Sequence, residues 1–165
     1  GEAGAAGKGA AGKGAKVRRV KAPVTFHLAL SKTEYNKTDP IEATVSLKNN
    51  GKKPVWVNTR FYVNAPEQPP EEREVLLEVT SPTGERLPCI FSYPTGFPKS
   101  DYFQRLPGGQ TAAAEHPRDL RNYFRFETPG RYTVVGIYEN VFGPELGLPA
   151  FTGPAKSKPV ILTIT

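Results

Sequence analysis

One cysteine, two histidines, one tryptophan and no methionine make a short inventory of reactive side chains for 165 residues. The lone Cys89 excludes an internal disulfide. Its apolar neighbours in Leu87-Pro88-Cys89-Ile90-Phe91 mark it as an inert core thiol. His27 and His116, with no third His and no second Cys, are too few for a structural zinc site. No Asp-x-Asp run accompanies Glu67, Glu71, Glu72 and Glu74, so that cluster reads as a solvated charged loop. Loop-bound calcium stays open, because loop carboxylates and carbonyls suffice to hold it. No stretch approaches the 18 or so consecutive apolar residues of a membrane-spanning helix. Catalytic signatures are also missing. His116 and Asp119 lie near one another, yet no Gly-x-Ser-x-Gly elbow supplies a nucleophile. Gly108-Gly109 is not followed by the Gly-Lys-Ser/Thr of a phosphate loop. The expectation is a non-enzymatic protein with no catalytic, cofactor-binding or metal residues.

What the chain does have is turn chemistry and an uneven charge. Its 16 glycines and 17 prolines are about a fifth of all residues, above average usage and suited to many short strands. The formal charge of +6 sits mostly in residues 1–21, where Lys8, Lys13, Lys16, Arg18, Arg19 and Lys21 face only Glu2. Residues 1–23 form a basic low-complexity arm, in which Ala5-Ala6-Gly7-Lys8-Gly9 recurs unchanged as Ala10-Ala11-Gly12-Lys13-Gly14. Such a stretch has little side chain to bury and much backbone entropy to lose, so alone in water it is expected to stay disordered. The start at Gly1 fits removal either of an initiator Met or of a signal peptide.

From Val24 the texture becomes period-two alternation, the signature of half-buried strands. Val24, Phe26, Leu28 and Leu30 mark one strand; Ile41, Ala43, Val45 and Leu47 mark a second. Asn49-Asn50-Gly51-Lys52 predicts a hairpin, since Asn and Gly accept positive φ, with residues 55–60 returning beside the second strand. Further strands are expected at 75–79, 86–92, 110–115, 131–139 and 160–164, and 120–126 as a short helical turn followed by a strand. Residues 93–110 and 140–157 read as long ordered loops. Seven to nine short strands without a persuasive helix predict an all-β antiparallel sandwich over residues 24–165.

Three segments carry a resemblance. Asp39-Pro40-Ile41-Glu42-Ala43-Thr44-Val45-Ser46-Leu47-Lys48-Asn49-Asn50-Gly51, Leu106-Pro107-Gly108-Gly109-Gln110 and Thr128-Pro129-Gly130-Arg131-Tyr132-Thr133-Val134 resemble strand and turn motifs of bacterial immunoglobulin-like domains. The intracellular proteinase inhibitor-like and related secreted domains are among these. The resemblance implies an immunoglobulin-like sandwich in which Tyr132 is a corner residue whose hydroxyl ties down backbone. No inhibitory signature is matched residue by residue, and fold analogy does not assign function.

Two functional expectations follow. In the first, the chain is an exported, extracellular or envelope-associated subunit that self-assembles into filaments or a surface layer. Its arm residues Lys8, Lys13, Lys16, Arg18, Arg19 and Lys21 then contact a neighbouring subunit, as a strand added to a sheet edge would. An anionic surface or glycan is the other fit for the arm. Nucleic acid is disfavoured, because no aromatics are interleaved with the basic residues. In the second, a monomeric module binds protein or glycan through the loops at 93–110 and 140–157. Tyr93, Phe97, Tyr102 and Phe103 are then the contact residues, because four aromatics are hard to bury in one loop.

Overall fold

Eleven strands, joined by turns and loops, form the framework of the described part of the computed structural model, which covers residues 22–165; the arm residues singled out above, Lys8 to Lys21, fall outside that range. The strands are β1 (Val24–Leu30), β2 (Glu34–Tyr35), β3 (Glu42–Asn49), β4 (Val55–Asn58), β5 (Val75–Thr80), β6 (Phe103–Leu106), β7 (Thr111–Ala113), β8 (Arg118–Asp119), β9 (Gly130–Tyr138), β10 (Ala155–Lys156) and β11 (Val160–Ile164). Single 3-10 turns at Pro70–Glu72, Ser100–Tyr102, Leu120–Asn122 and Pro144–Leu146 are the only helical pieces among the described residues. None of these is long and apolar enough to cross a membrane. The fold is all-β, built of antiparallel sheets, with β2 on β11 the one parallel strand pair among the described residues.

Alternation set by the sequence decides which faces meet. β9 is the centre of one sheet, with β5 along one edge and β11 then β10 along the other. β3 is the centre of a second, between β1 on one side and β7 and β8 on the other. Val24, Phe26 and Leu28 of β1 and Ala43, Val45 and Leu47 of β3 turn inward, as do Tyr132, Val134 and Tyr138 of β9. The two sheets touch across Gly136: a Cβ there would lie 2.8 Å from Phe26 Cε2. The Phe26 ring occupies that space and lies 5.8 Å from the Tyr138 ring. At the start of β9, the Tyr132 hydroxyl donates to the Thr128 carbonyl at 2.6 Å and accepts from the Thr128 amide at 3.1 Å.

The expected hairpin at 49–52 does not form. β4 leaves β3 altogether and pairs with β6 in a separate two-stranded ribbon, Val55 opposite Leu106 and Asn58 opposite Phe103. The cause is Asn49, whose side chain is fully buried. Its Nδ2 donates to Lys53 O at 2.8 Å and Leu106 O at 3.0 Å, while its Oδ1 accepts from the Gly51 amide at 2.9 Å. A buried polar side chain requires such partners, and meeting them bends the chain away from its sheet. Gly108 completes the crossing, since a Cβ there would come within 2.6 Å of the Gly51 and Lys52 carbonyl oxygens.

Other boundaries also shift. Of the strand expected at 86–92, only Arg86 bridges to Thr80; Pro88, within it, brings no amide hydrogen to a ladder. Residues 120–126 hold the expected turn but no strand. Asp119 caps that turn, accepting from the Arg121 and Ile41 amides at 3.0 Å each, and Phe124 and Phe126 then pack into the core as single side chains. Both predicted long loops contain strand: β6 lies within 93–110 and β10 within 140–157.

Candidate binding site

Beyond β4 the chain runs Asn58-Thr59-Arg60-Phe61-Tyr62-Val63-Asn64, with a sharp kink at Phe61. Its φ of 53° is in the left-handed region, which costs a bulky residue on the order of 1–3 kcal/mol. Burial of the ring, 6.0 Å from Tyr138, and a hydrogen bond from Arg118 Nη2 to its carbonyl at 3.1 Å offset that strain.

On one side of the kink, Arg60 enters the protein. Its Nε donates to both oxygens of Glu74 at 3.0 and 3.1 Å, with both side chains only 2% exposed. Its Nη1 donates to Gly96 O at 2.8 Å, and the guanidinium lies 4.5 Å from the centroid of the Tyr62 ring. Glu74 also accepts from the Tyr62 amide at 2.9 Å and Asn58 Nδ2 at 3.1 Å. Burial pushes the Glu74 carboxyl above the usual carboxylate range, and the hydrogen bond and charge of Arg60 pull it back only in part. Asn58 Nδ2 reaches Asn140 Oδ1 at 3.1 Å, and Asn140 Nδ2 holds the carbonyls of Phe142 and Phe151 at 2.5 and 3.1 Å.

A second buried carboxylate pins the neighbouring loop. Glu72 accepts the Gly96 amide at 2.9 and 3.0 Å, while its carbonyl takes the Thr95 hydroxyl at 2.6 Å. Asn64 Nδ2 donates to Tyr93 O at 2.6 Å. Gly96 serves both networks, with its amide on Glu72 and its carbonyl on Arg60, at a φ of 81° that disfavours a side chain. The acidic stretch expected to be a solvated loop is therefore divided. Glu72 and Glu74 are buried anchors, because each meets donors that replace water.

On this frame stand the aromatics. Tyr93 and Phe97 are 62% and 66% exposed. Phe97 meets Phe142 of the 140–151 segment at 5.2 Å, and Tyr93 meets Phe91, which also touches Tyr123. Tyr102 is half-buried, its carbonyl held by the Thr59 amide and hydroxyl at 2.8 and 2.7 Å and its ring 6.5 Å from Tyr62. Phe103 corrects the expectation of an exposed contact residue. As the first residue of β6, opposite Asn58, it turns inward and is 7% exposed.

Two cavities flank this end. One, of about 530 Å³, lies between Thr59, Tyr62, Tyr102 and Gln104 on one wall and Ala113, Glu115, His116 and Arg118 on the other. The other, of about 490 Å³, is lined by Leu77, Leu87, Cys89 and Phe124 among others. Cys89 is half-buried there, its thiol donating to Phe91 O at 3.3 Å, and burial pushes its pKa up. His27, by contrast, bonds the Thr25 hydroxyl at 2.8 Å on an exposed strand face. Arg60, Glu72, Glu74 and Arg118 were not singled out as binding residues by the sequence. The one available signal was an Arg amid apolar and aromatic residues at 60–63, a costly neighbour unless paired. No protein family matches this chain, and no curated protein matches it.

Proposed function

We propose that this protein is a non-enzymatic interaction module on an immunoglobulin-like sandwich, contacting a partner protein through the aromatic end that Tyr93, Phe97 and Phe142 define. The carrying observation is that Tyr93 and Phe97 are 62% and 66% exposed on a loop whose backbone is fixed by buried Glu72 and Arg60. Large exposed aromatics are the anchors that dominate protein interfaces. Fixing them beforehand lowers the entropic cost of association. The Tyr132 hydroxyl on Thr128 and the facing of β1 and β9 support the immunoglobulin-like reading.

A photo-crosslinking amino acid placed at position 97 tests this against the same group at exposed position 25. Adducts in extracts of the source cells are expected from position 97 alone, and to fall when Tyr93 is replaced by Ser. Equal labelling from both positions, or none from 97, would overturn the reading.

A second reading, a self-assembling subunit whose arm contacts a neighbour, has one observation in its favour. Among the described residues β1 pairs only with β3, so residues 1–23 lead into a strand with an open edge. Light scattering with and without residues 1–21 distinguishes the two. Large particles lost on deletion favour assembly, and a monomer in both cases favours the aromatic surface.

A further inference from the structure

Arg118 is the least satisfied charge at this end of the molecule. Of its five guanidinium hydrogens, one finds a protein acceptor, Nη2 on Phe61 O at 3.1 Å. Its Nε is buried and has no partner among the described residues. No carboxylate of those residues lies within 4.0 Å of it. Asp119, the next residue, turns its carboxylate to the Ile41 and Arg121 amides, and the Glu115 side chain is 91% exposed and turned to His116 Nε2 at 3.7 Å. A buried donor left unmade is costly, and each one calls for an explanation.

Nε is closed to solvent, so the side of the group that a ligand can reach is the one that bears Nη1, for which no acceptor is found among the described residues. The cavity of about 530 Å³ that Arg118 lines is within the size range of small-ligand sites, roughly 300–1,000 Å³. Tyr62 and Tyr102 give it aromatic walls, with Tyr102 held by Thr59 at 2.7 Å. The other arginine in its lining, Arg60, is already neutralised by Glu74. One uncompensated planar guanidinium therefore faces a partly apolar cavity. That arrangement matches a single carboxylate, which a guanidinium grips by two parallel hydrogen bonds. A phosphate dianion would ask for a second free cation that this cavity does not offer.

We propose that the cavity between Tyr62, Tyr102 and Arg118 binds a carboxylate attached to a small apolar body, with Arg118 as its anchor. This site is separate from the Phe97 surface and stands or falls independently of it. Binding draws the carboxylate against the Nη side of the guanidinium, since Nε is closed to solvent, and the apolar body packs on the tyrosine rings. The carboxylate reaches the cavity either as a free small acid or as an acidic side chain of a bound protein.

The test is a titration of the full chain, followed by the Arg118 Nε–H resonance in proton–nitrogen spectra. The probes are acetate, 3-phenylpropionate, a blocked Gly-Glu-Gly peptide, acetamide and chloride at constant ionic strength. A saturable shift is expected with the carboxylates, and none with acetamide or chloride. Tightest binding by 3-phenylpropionate assigns a free acid; tightest binding by the peptide assigns an acidic side chain. Arg118→Lys keeps the charge but loses the fork, and is expected to weaken binding about tenfold or more. Tyr102→Ala, at a half-exposed position, should weaken the phenyl acid more than acetate. An equal response to chloride or acetamide would overturn the proposal. So would a folded Arg118→Lys protein that binds as tightly as the parent.

Discussion

The contact between β1 and β9 and the end of the molecule around Arg60 are both buried, yet they are held by opposite physics. At the first, Phe26 of β1 and Val134 of β9 share one apolar core cluster with Val45 and Leu47 of β3. At the second, Arg60, Glu72, Glu74, Asn58, Asn64 and Asn140 are buried polar groups joined by directed hydrogen bonds. Apolar packing is non-directional, so a shape-preserving change is tolerated. A buried ion pair is held only while both members are present, because removal of one leaves an uncompensated charge. The first region builds a scaffold; the second fixes the conformation of loops that a scaffold alone would leave free.

Glu74→Gln is the sharpest way to break the comparison, since the shape is kept and only the charge goes. It is expected to cost about 3–5 kcal/mol by urea unfolding, and Arg60→Met with Glu74→Leu is expected to recover most of it. A double variant no more stable than Glu74→Gln would mean that the loops, rather than the charge, carry the loss. The matching change in the core, Leu47→Met, should cost less than about 1.5 kcal/mol in the same assay. A cost equal to that of Glu74→Gln would erase the distinction.

The smallest effect is expected at Cys89, half-buried in the lining of the cavity of about 490 Å³. Burial raises its pKa, so the folded thiol stays protonated where a free cysteine, near pH 8.5, ionises. A raised folded pKa adds stability below the unfolded value and loses it as pH rises through the folded one. Iodoacetamide at about pH 8.5 should therefore label the native protein several-fold more slowly than the urea-unfolded chain, without a measurable change in unfolding midpoint between pH 6 and 7.5. Equal labelling rates would show an accessible thiolate.

Much of the scaffold is legible in the sequence, and the polar, aromatic end around Arg60 is not. Val24 to Leu30, Ile41 to Leu47 and Tyr132 to Tyr138 alternate at period two, and a pleated strand places residues i and i+2 on one face whatever surrounds it. The Asn49-Asn50-Gly51-Lys52 segment shows the limit of local reading. Its composition satisfies a hairpin, but the Asn49 side chain finds Leu106 O, 57 residues away, and the chain changes sheets. Phe103 likewise belongs to an aromatic-rich loop by composition, and only its pairing with Asn58 turns it inward.

The positions of β1, β3, β5, β9 and β11, the inward faces of β1, β3 and β9, and the concentration of positive charge in residues 1–21 were determined by the sequence alone, because each depends on neighbours a few residues apart. The pairing of β4 with β6 depended on tertiary structure. So did the burial of Glu72 and Glu74 and the uncompensated position of Arg118. The partners that decide them lie far along the chain: Glu74 is 14 residues from Arg60, Gly96 is 24 from Glu72, and Asn140 is 82 from Asn58. A carboxylate followed by other acids is solvated by default, and only donors brought from such distances can take the place of its water.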